Sequence, residues 1–216
     1  MKNEELKQLF PGIADEQIAQ FSQFADVLRD WNQRINLISR QDVDNLWTHH
    51  FLPSIIPSTF IDLPAQCWVM DIGSGGGFPA IPLKILYPQW QLLMVESIRK
   101  KSAFLENAIQ TLQLPHATVV NDRVEMLGKR GEFHHKFDLV TVRAVAAIPK
   151  LIEWGTPYLR RTGRFLLWKG TSDLPEMQAT ASKLRLKFRM HQVPEALQSL
   201  SPKLSALCWF EIWRGR

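Results

Sequence analysis

With 216 residues, 45% of them hydrophobic and 22% charged, the chain has the makeup of an ordinary globular protein and the length of one α/β domain with a small extension. No apolar run nears the roughly 18 residues of a membrane span, and two cysteines 141 positions apart, Cys67 and Cys208, supply neither a zinc site nor a disulfide framework. The net charge of +5 suits an anionic partner, nucleic acid above all.

The first residues, Met1 to Leu6, include Glu4 and Glu5 and lack the apolar core of a signal peptide, which predicts a cytoplasmic protein. Residues 1–60 read as an N-terminal helical cap. Ile18, Phe21, Phe24 or Ala25, Leu28, Trp31 and Ile35 recur at spacings of three and four, the pattern of one buried helix face. Asp15 is placed to cap its start. A shorter helical stretch is expected over about 43–56, bounded by Pro53 and Pro57. It carries His49 and His50, read as packing or surface residues, and no metal site is expected.

From Cys67 onward strands and helices alternate, and residues 61–216 read as one catalytic unit. Strands are predicted at 68–72, 91–95, 117–120, 137–142, 164–168, 184–193 and 204–213. Helices are predicted at 79–87, 97–112 and 173–183, with mixed helix and turn over 144–158. This order gives an α/β fold, a doubly wound and mostly parallel seven-stranded sheet. In the sixth strand Lys183, Arg185, Lys187 and Arg189 alternate with Leu184, Leu186, Phe188 and Met190, as a half-buried strand with one wet, basic face does. Further basic clusters are Arg99-Lys100-Lys101, Lys129-Arg130, Arg160-Arg161 with Arg164, and Arg214 with Arg216. Several on one side of the molecule would form an RNA footprint.

The chain is organised around Val69-Met70-Asp71-Ile72-Gly73-Ser74-Gly75-Gly76-Gly77-Phe78-Pro79, an apolar strand running through an acid into a glycine turn and a helix. Such glycines allow positive φ and close approach of a ligand to the backbone. A dinucleotide fingerprint has Gly-x-Gly-x-x-Gly, whereas here Phe78 stands where the third glycine would fall. The Asp71 and Gly73-x-Gly75-x-Gly77 spacing resembles the first motif of class I S-adenosylmethionine (SAM) methyltransferases. In a doubly wound sheet the ligand lies beyond the strand ends, which here carry Asp71, Glu96, the 121–125 segment, Arg143 and Lys169. Glu96, 25 residues after Asp71, is placed to accept both ribose hydroxyls of an adenosine cofactor. Val124 and Glu125 fall where an adenine would rest.

The residues also limit the reaction. Methylation of an exocyclic amine goes with an Asn/Asp-Pro-Pro-aromatic motif after the fourth strand, and the chain has Val142-Arg143-Ala144-Val145-Ala146 there. Attack at cytosine C5 needs a cysteine nucleophile, and neither cysteine stands at a suitable strand end. Guanine N7 has an exposed lone pair and no proton, so alignment suffices without a general base. Arginine and lysine suit guanine O6 and phosphates. A cation too near N7 would compete for its lone pair, so Arg143 and Lys169 are read as substrate-positioning groups. A SAM enzyme acting on a small molecule, and a non-catalytic RNA-binding or assembly factor, remain as alternatives.

Taken together, Trp31-Asn32 with Asn36-Leu37, the His50 segment, the glycine turn with Ile81-Pro82-Leu83, Lys100-Lys101 with Phe104-Leu105, Arg123-Val124-Glu125, Arg143-Ala144 and Lys169-Gly170 resemble the bacterial glucose-inhibited division protein B family. These are SAM-dependent methyltransferases of guanine N7 in small-subunit ribosomal RNA. The resemblance implies SAM as cofactor, with contacts at Gly73, Phe78, Val124, Glu125 and Arg143 beside the Asp71, Gly75, Gly77 and Glu96 already named. It implies small-subunit ribosomal RNA, or the assembled subunit, as partner, engaged by Arg123, Arg143 and Lys169. A monomer is expected. Ala80 stands where the family often has glycine, and Pro53 where members often have aspartate.

Overall fold

The computed structural model describes residues 3–143 and 145–215. Met1, Lys2, Ala144 and Arg216 lie outside the described residues, and with them the start of the 144–158 stretch and one member of the C-terminal basic pair. Strands β1 (Trp68–Ile72), β2 (Gln91–Val95), β3 (Ala117–Val120), β4 (Phe137–Arg143), β5 (Leu159–Gly170), β6 (Leu186–Gln192) and β7 (Leu207–Arg214) form one sheet in the order β3-β2-β1-β4-β5-β7-β6. The first five are parallel, and β7 runs antiparallel to both β5 and β6. The expected doubly wound, mostly parallel sheet is therefore present. The chain winds outward from β1 to β3 and then returns to the other side at β4, so the switch point lies between β1 and β4.

Helices α1 (Asn3–Leu9), α2 (Asp15–Asn32), α3 (Leu52–Ile55), α4 (Ala80–Leu86) and α5 (Arg99–Thr111) share one core with the first face of the sheet. Helices α6 (Val124–Arg130), α7 (Ile148–Gly155) and α8 (Leu174–Leu184) share a second core with the other face. The short α9 (Glu195–Gln198) sets Leu197 against the first core. The periodicity in α2 has the meaning expected of it: Ile18, Phe21, Phe24, Ala25 and Leu28 are its buried residues. The Phe24 ring lies 5.4 Å from Phe78, 5.6 Å from Phe51 and 6.4 Å from Phe104. Burying such a ring contributes roughly 1.5–3 kcal/mol, so the N-terminal helices and the glycine-turn segment are held by the same aromatic contacts.

Three local expectations are corrected. Asp15 does not cap α2; the cap position is Ala14, whose N–H donates to Gln17 Oε1 at 2.9 Å, because Asp15 is already helical. The stretch expected over 43–56 is not one helix. A 3-10 turn at Arg40–Asp42, a π turn at Trp47–Phe51, α3, and a 3-10 turn at Ile56–Thr59 follow one another. Pro53 sits in the first turn of α3, directly after the π turn, and its missing N–H leaves the carbonyls of that turn to donors from elsewhere in the chain. The sixth strand starts at Leu186 rather than at 184, since Lys183 and Leu184 complete α8. Arg185, at φ +52°, donates its N–H to the Ala181 and Ser182 carbonyls. Helix termination overrides the alternation there, whereas Lys187 and Arg189 remain on the exposed face.

Candidate active site at the strand ends

β1 delivers the glycine turn to the switch point. Gly73, Gly75 and Gly77 have φ of +71°, +52° and +82°, the left-handed region that costs a residue with a Cβ roughly 1–2 kcal/mol. A Cβ on Gly73 would come within 2.7 Å of Val145, and one on Gly77 within 2.7 Å of Ile81. Gly76 has its own reason to be glycine: a Cβ there would meet the Leu37 carbonyl at 3.3 Å. That carbonyl belongs to the turn after α2, which Asn32 Oδ1 holds by accepting the Leu37 and Ile38 N–H groups at 2.9 and 3.1 Å.

Two buried carboxylates shape the turn. Asp71 lies beneath it, accepting from Thr141 Oγ1 at 2.6 Å. Burial raises its pKa to about 6, against the opposing hydrogen bonds of Ser74 and Thr141. Glu96, at the end of β2, accepts from the Gly75 N–H through Oε2 and from the Ile98 N–H through Oε1, both at 2.8 Å. Its two oxygens keep further lone pairs. Asn121 donates to the Glu96 carbonyl at 2.9 Å, which ties the ends of β2 and β3.

Beside the turn is a cavity of about 210 Å³ whose walls include Gly73, Val95, Arg123, Val124, Glu125 and Val145. The Tyr158 hydroxyl donates to the Val124 carbonyl and fixes that wall from below. The volume is under the roughly 300–1,000 Å³ of whole-ligand pockets. It suits the base and sugar of an adenosine, with the rest of a larger molecule along the open glycine backbone. Aliphatic walls, a carboxylate with spare acceptors, and glycines without Cβ atoms are the donor set such a group needs, so the residues fit an adenosine-bearing cofactor.

The predicted residues fall into three groups. Gly73, Arg123, Val124 and Glu125 line the cavity. Asp71, Gly75, Gly77 and Glu96 build the turn beside it. Phe78 and Arg143 lie toward the N-terminal helices: Phe78 is buried, its ring 4.9 Å from that of His50 and 5.4 Å from that of Phe51. Arg143 donates to the His49 carbonyl at 2.8 Å and, at 3.5 Å, to the His50 carbonyl and Ser54 Oγ. Burial lowers its pKa only to about 10, so it stays cationic at neutral pH. Lys169, at the end of β5, donates to the Ala146 carbonyl at 3.1 Å. Lys169 and Arg143 thus flank the loop after β4.

The His49-His50 pair does more than the sequence suggested. His49 Nδ1 lies 2.5 Å from Asp42 Oδ1, and His50 Nε2 lies 3.4 Å from Asp42 Oδ2. Burial, then the Arg143 charge, lowers His50 to about 4, so its imidazole is neutral. Burial works against ionisation of Asp42, but hydrogen bonds from Ser39 and His49 and the nearby imidazoles bring it down to about 2. No spacing signature marks this group, because Asp42 comes from a separate turn. The Pro53 carbonyl accepts from Trp168 Nε1 at 2.7 Å, so position 53 acts through its backbone. Both cysteines are buried, and burial pushes Cys67 to about 12 and Cys208 to about 11, which leaves both as thiols at neutral pH.

Comparison with solved structures finds the same fold in other proteins. Precorrin-6y C5,15-methyltransferase from Geobacter metallireducens aligns with a TM-score of 0.55 at 14% identity, over 83% of this chain and 92% of that one. M. jannaschii TYW2, solved in complex with AdoMet, aligns with a TM-score of 0.56 at 13% identity, over 85% and 80%. Among sequences, ribosomal RNA small subunit methyltransferase G of Roseiflexus castenholzii is 43% identical over 157 residues, 72% of this chain and 66% of that protein. The protein of the same description from Macrococcus caseolyticus is 38% identical over 166 residues, 77% and 69%. The model of the family described as rRNA small subunit methyltransferase G matches residues 17–203. With that match across most of its length, the chain belongs to the GidB family, rRNA small subunit methyltransferase G.

Proposed function

We propose that this protein transfers a methyl group from SAM to N7 of a guanine in small-subunit (16S) ribosomal RNA. The observation that carries the reading is the cavity beside the glycine turn, lined by residues from the ends of four neighbouring strands in a chain of this family. When bound, SAM supplies an electrophilic methyl on a sulfonium. The remaining work falls to this chain. Gly73, Gly75 and Gly77 let the backbone approach the cofactor, and Asp71 holds the turn from beneath. Glu96 offers the ribose hydroxyls the lone pairs that Gly75 and Ile98 leave free. Val124 and Glu125 border the base. Phe78 anchors the turn to the N-terminal helices.

Arg123, Arg143 and Lys169 position the RNA. Guanine N7 attacks in line with its own lone pair, and because it carries no proton, no side chain has to remove one. This agrees with a neutral, buried His50 and two un-ionised cysteines. Arg143 has N–H donors beyond the three contacts it makes. Residues 1–60 form a helical cap on a catalytic unit of residues 61–216, and the protein acts as a cytoplasmic monomer. Among the described residues, no helix is long and apolar enough to cross a membrane.

The test is transfer of labelled methyl from SAM to small-subunit RNA lacking its native modification, as naked RNA and as assembled subunits. Borohydride–aniline cleavage then locates 7-methylguanosine. A single cleavable guanine is the expected result; no transfer to either form, with SAM bound, overturns the reading.

A further inference from the structure

The sheet face that carries the N-terminal helices is open at the far end of β5, β7 and β6. Leu166 and Arg189 both pair opposite Glu211, and Lys187 pairs opposite Trp213. Since alternate residues share a face, Arg164, Glu211, Trp213, Lys187 and Arg189 all project from this one. Next to them β5 bulges: its pairing with β4 jumps from Phe137–Leu159 to Leu139–Arg164. The bulge closes at Gly163, where a Cβ would stand 2.8 Å from the Phe137 carbonyl, and it carries Arg161 on the surface. The result is an open groove of about 790 Å³ faced by Arg161, Arg164, Lys187 and Arg189, with Glu211 as its one acid.

That acid is already taken. Glu211 pairs with Arg164 at 2.5 Å and with His191 at 2.9 Å. Among the described residues, no ion pair occupies Arg161, Lys187 or Arg189. Charge on the edge strand β6 blocks edge-to-edge pairing. That purpose does not account for Arg161 in the bulge of β5, and it calls for no single sign. Cations from two strands converging on one concave surface, around a half-buried Trp213 of the strand between them, match a polyanion with bases to stack.

We propose that this groove binds the sugar–phosphate backbone of a second segment of the substrate RNA, distinct from the segment that carries the target guanine. The inference rests on the ribosomal RNA methyltransferase reading above. Five residues separate Arg164 from Lys169, and at roughly 3.3 Å per strand residue the groove begins about 17 Å from the strand ends. Nucleotides held there cannot be the one being methylated. The groove gives affinity and register, and the strand-end residues give alignment of N7.

Two variants test this. One is Arg161→Gln/Lys187→Gln/Arg189→Gln, which leaves the Glu211 ion pairs intact. The other is the charge-retaining pair Lys187→Arg/Arg189→Lys. For the triple variant, SAM affinity is expected to be unchanged and kcat to stay within about twofold, while KM for RNA rises about tenfold or more. The slope of log affinity for naked small-subunit RNA against log salt should become shallower by about 2, since each phosphate that a cation neutralises adds roughly 0.7–0.9 to it. The charge-retaining pair should behave as wild type. Unchanged KM and salt slope in the triple variant overturn the groove while leaving the methyltransferase reading in place. So does a loss of affinity confined to assembled subunits, which would mean an acidic protein surface. A wild-type protein that methylates neither RNA form overturns both.

Discussion

Asp71 is a carboxyl that the fold buries beneath the residues it supports. Its pKa of about 6 lies above the ordinary 3.8, chiefly through burial. Below pH 4 both folded and unfolded chains hold the proton. Between pH 4 and 6 only the folded chain does, so stability falls as pH rises through that window. Above pH 6 the buried charge costs the folded state about 3 kcal/mol relative to acid pH. Asp71→Asn should therefore gain stability over wild type progressively from pH 4 to 6 and hold that gain above 6. Urea unfolding at pH 4, 5, 6 and 7 checks it, and a difference that does not change with pH would sink it. The glycines give a second test at the same scale. Gly77→Ala combines positive φ with a 2.7 Å clash against Ile81, whereas at Gly75 the nearest atom is 3.8 Å away. Gly75→Ala should cost about 1–2 kcal/mol of backbone strain and Gly77→Ala distinctly more. Thermal unfolding of the two should rank them so.

Among the elements, β4 and the π turn at Trp47–Phe51 are joined by one side chain. Arg143 reaches the His49 and His50 carbonyls from the end of the strand. Arg143→Ala removes a buried donor from both, and each orphaned acceptor costs about 1–3 kcal/mol. Hydrogen exchange should quicken over Trp47–Ile55 and stay unchanged in β1 and β2, and RNA methylation should fall more steeply than SAM affinity. Arg143→Lys, with one ammonium, should recover part of the protection. Much of this level was legible in the sequence. The glycine turn, Glu96 and Arg143 sit at strand ends because apolar strands of four to seven residues alternate with helical periods, and that pattern is local. The turns between residues 36 and 60 were not legible. Their conformation answers to partners far along the chain: Gly76 against Leu37, Trp168 on the Pro53 carbonyl, Arg143 on His49.

For the whole molecule, net charge of +5 meets a polyanionic substrate. Displacing counterions from RNA makes affinity fall with salt, so KM for RNA should rise steeply between 50 and 200 mM salt, a range of about fourfold in counterion, while SAM affinity changes little. A KM insensitive to salt would mean that recognition does not run through the basic surfaces. Sidedness of those surfaces emerges only in three dimensions. Arg161, Lys187 and Arg189 meet in one groove, whereas Lys183 and Arg185, from the same alternating run as Lys187, belong to the end of α8.

The sequence alone determined the α/β class, the seven-stranded winding, the cofactor turn and the family, because each rests on short-range periodicity or on a motif whose spacing is its geometry. Only the tertiary structure decided that Phe78 is an anchor in an aromatic cluster, that Glu96 clamps the turn it follows, that Asp42 pairs with the two histidines, and that scattered cations form one surface. Each of these is a contact between residues distant in the chain, fixed by how the sheet and its two helical layers close on one another rather than by any neighbour in sequence.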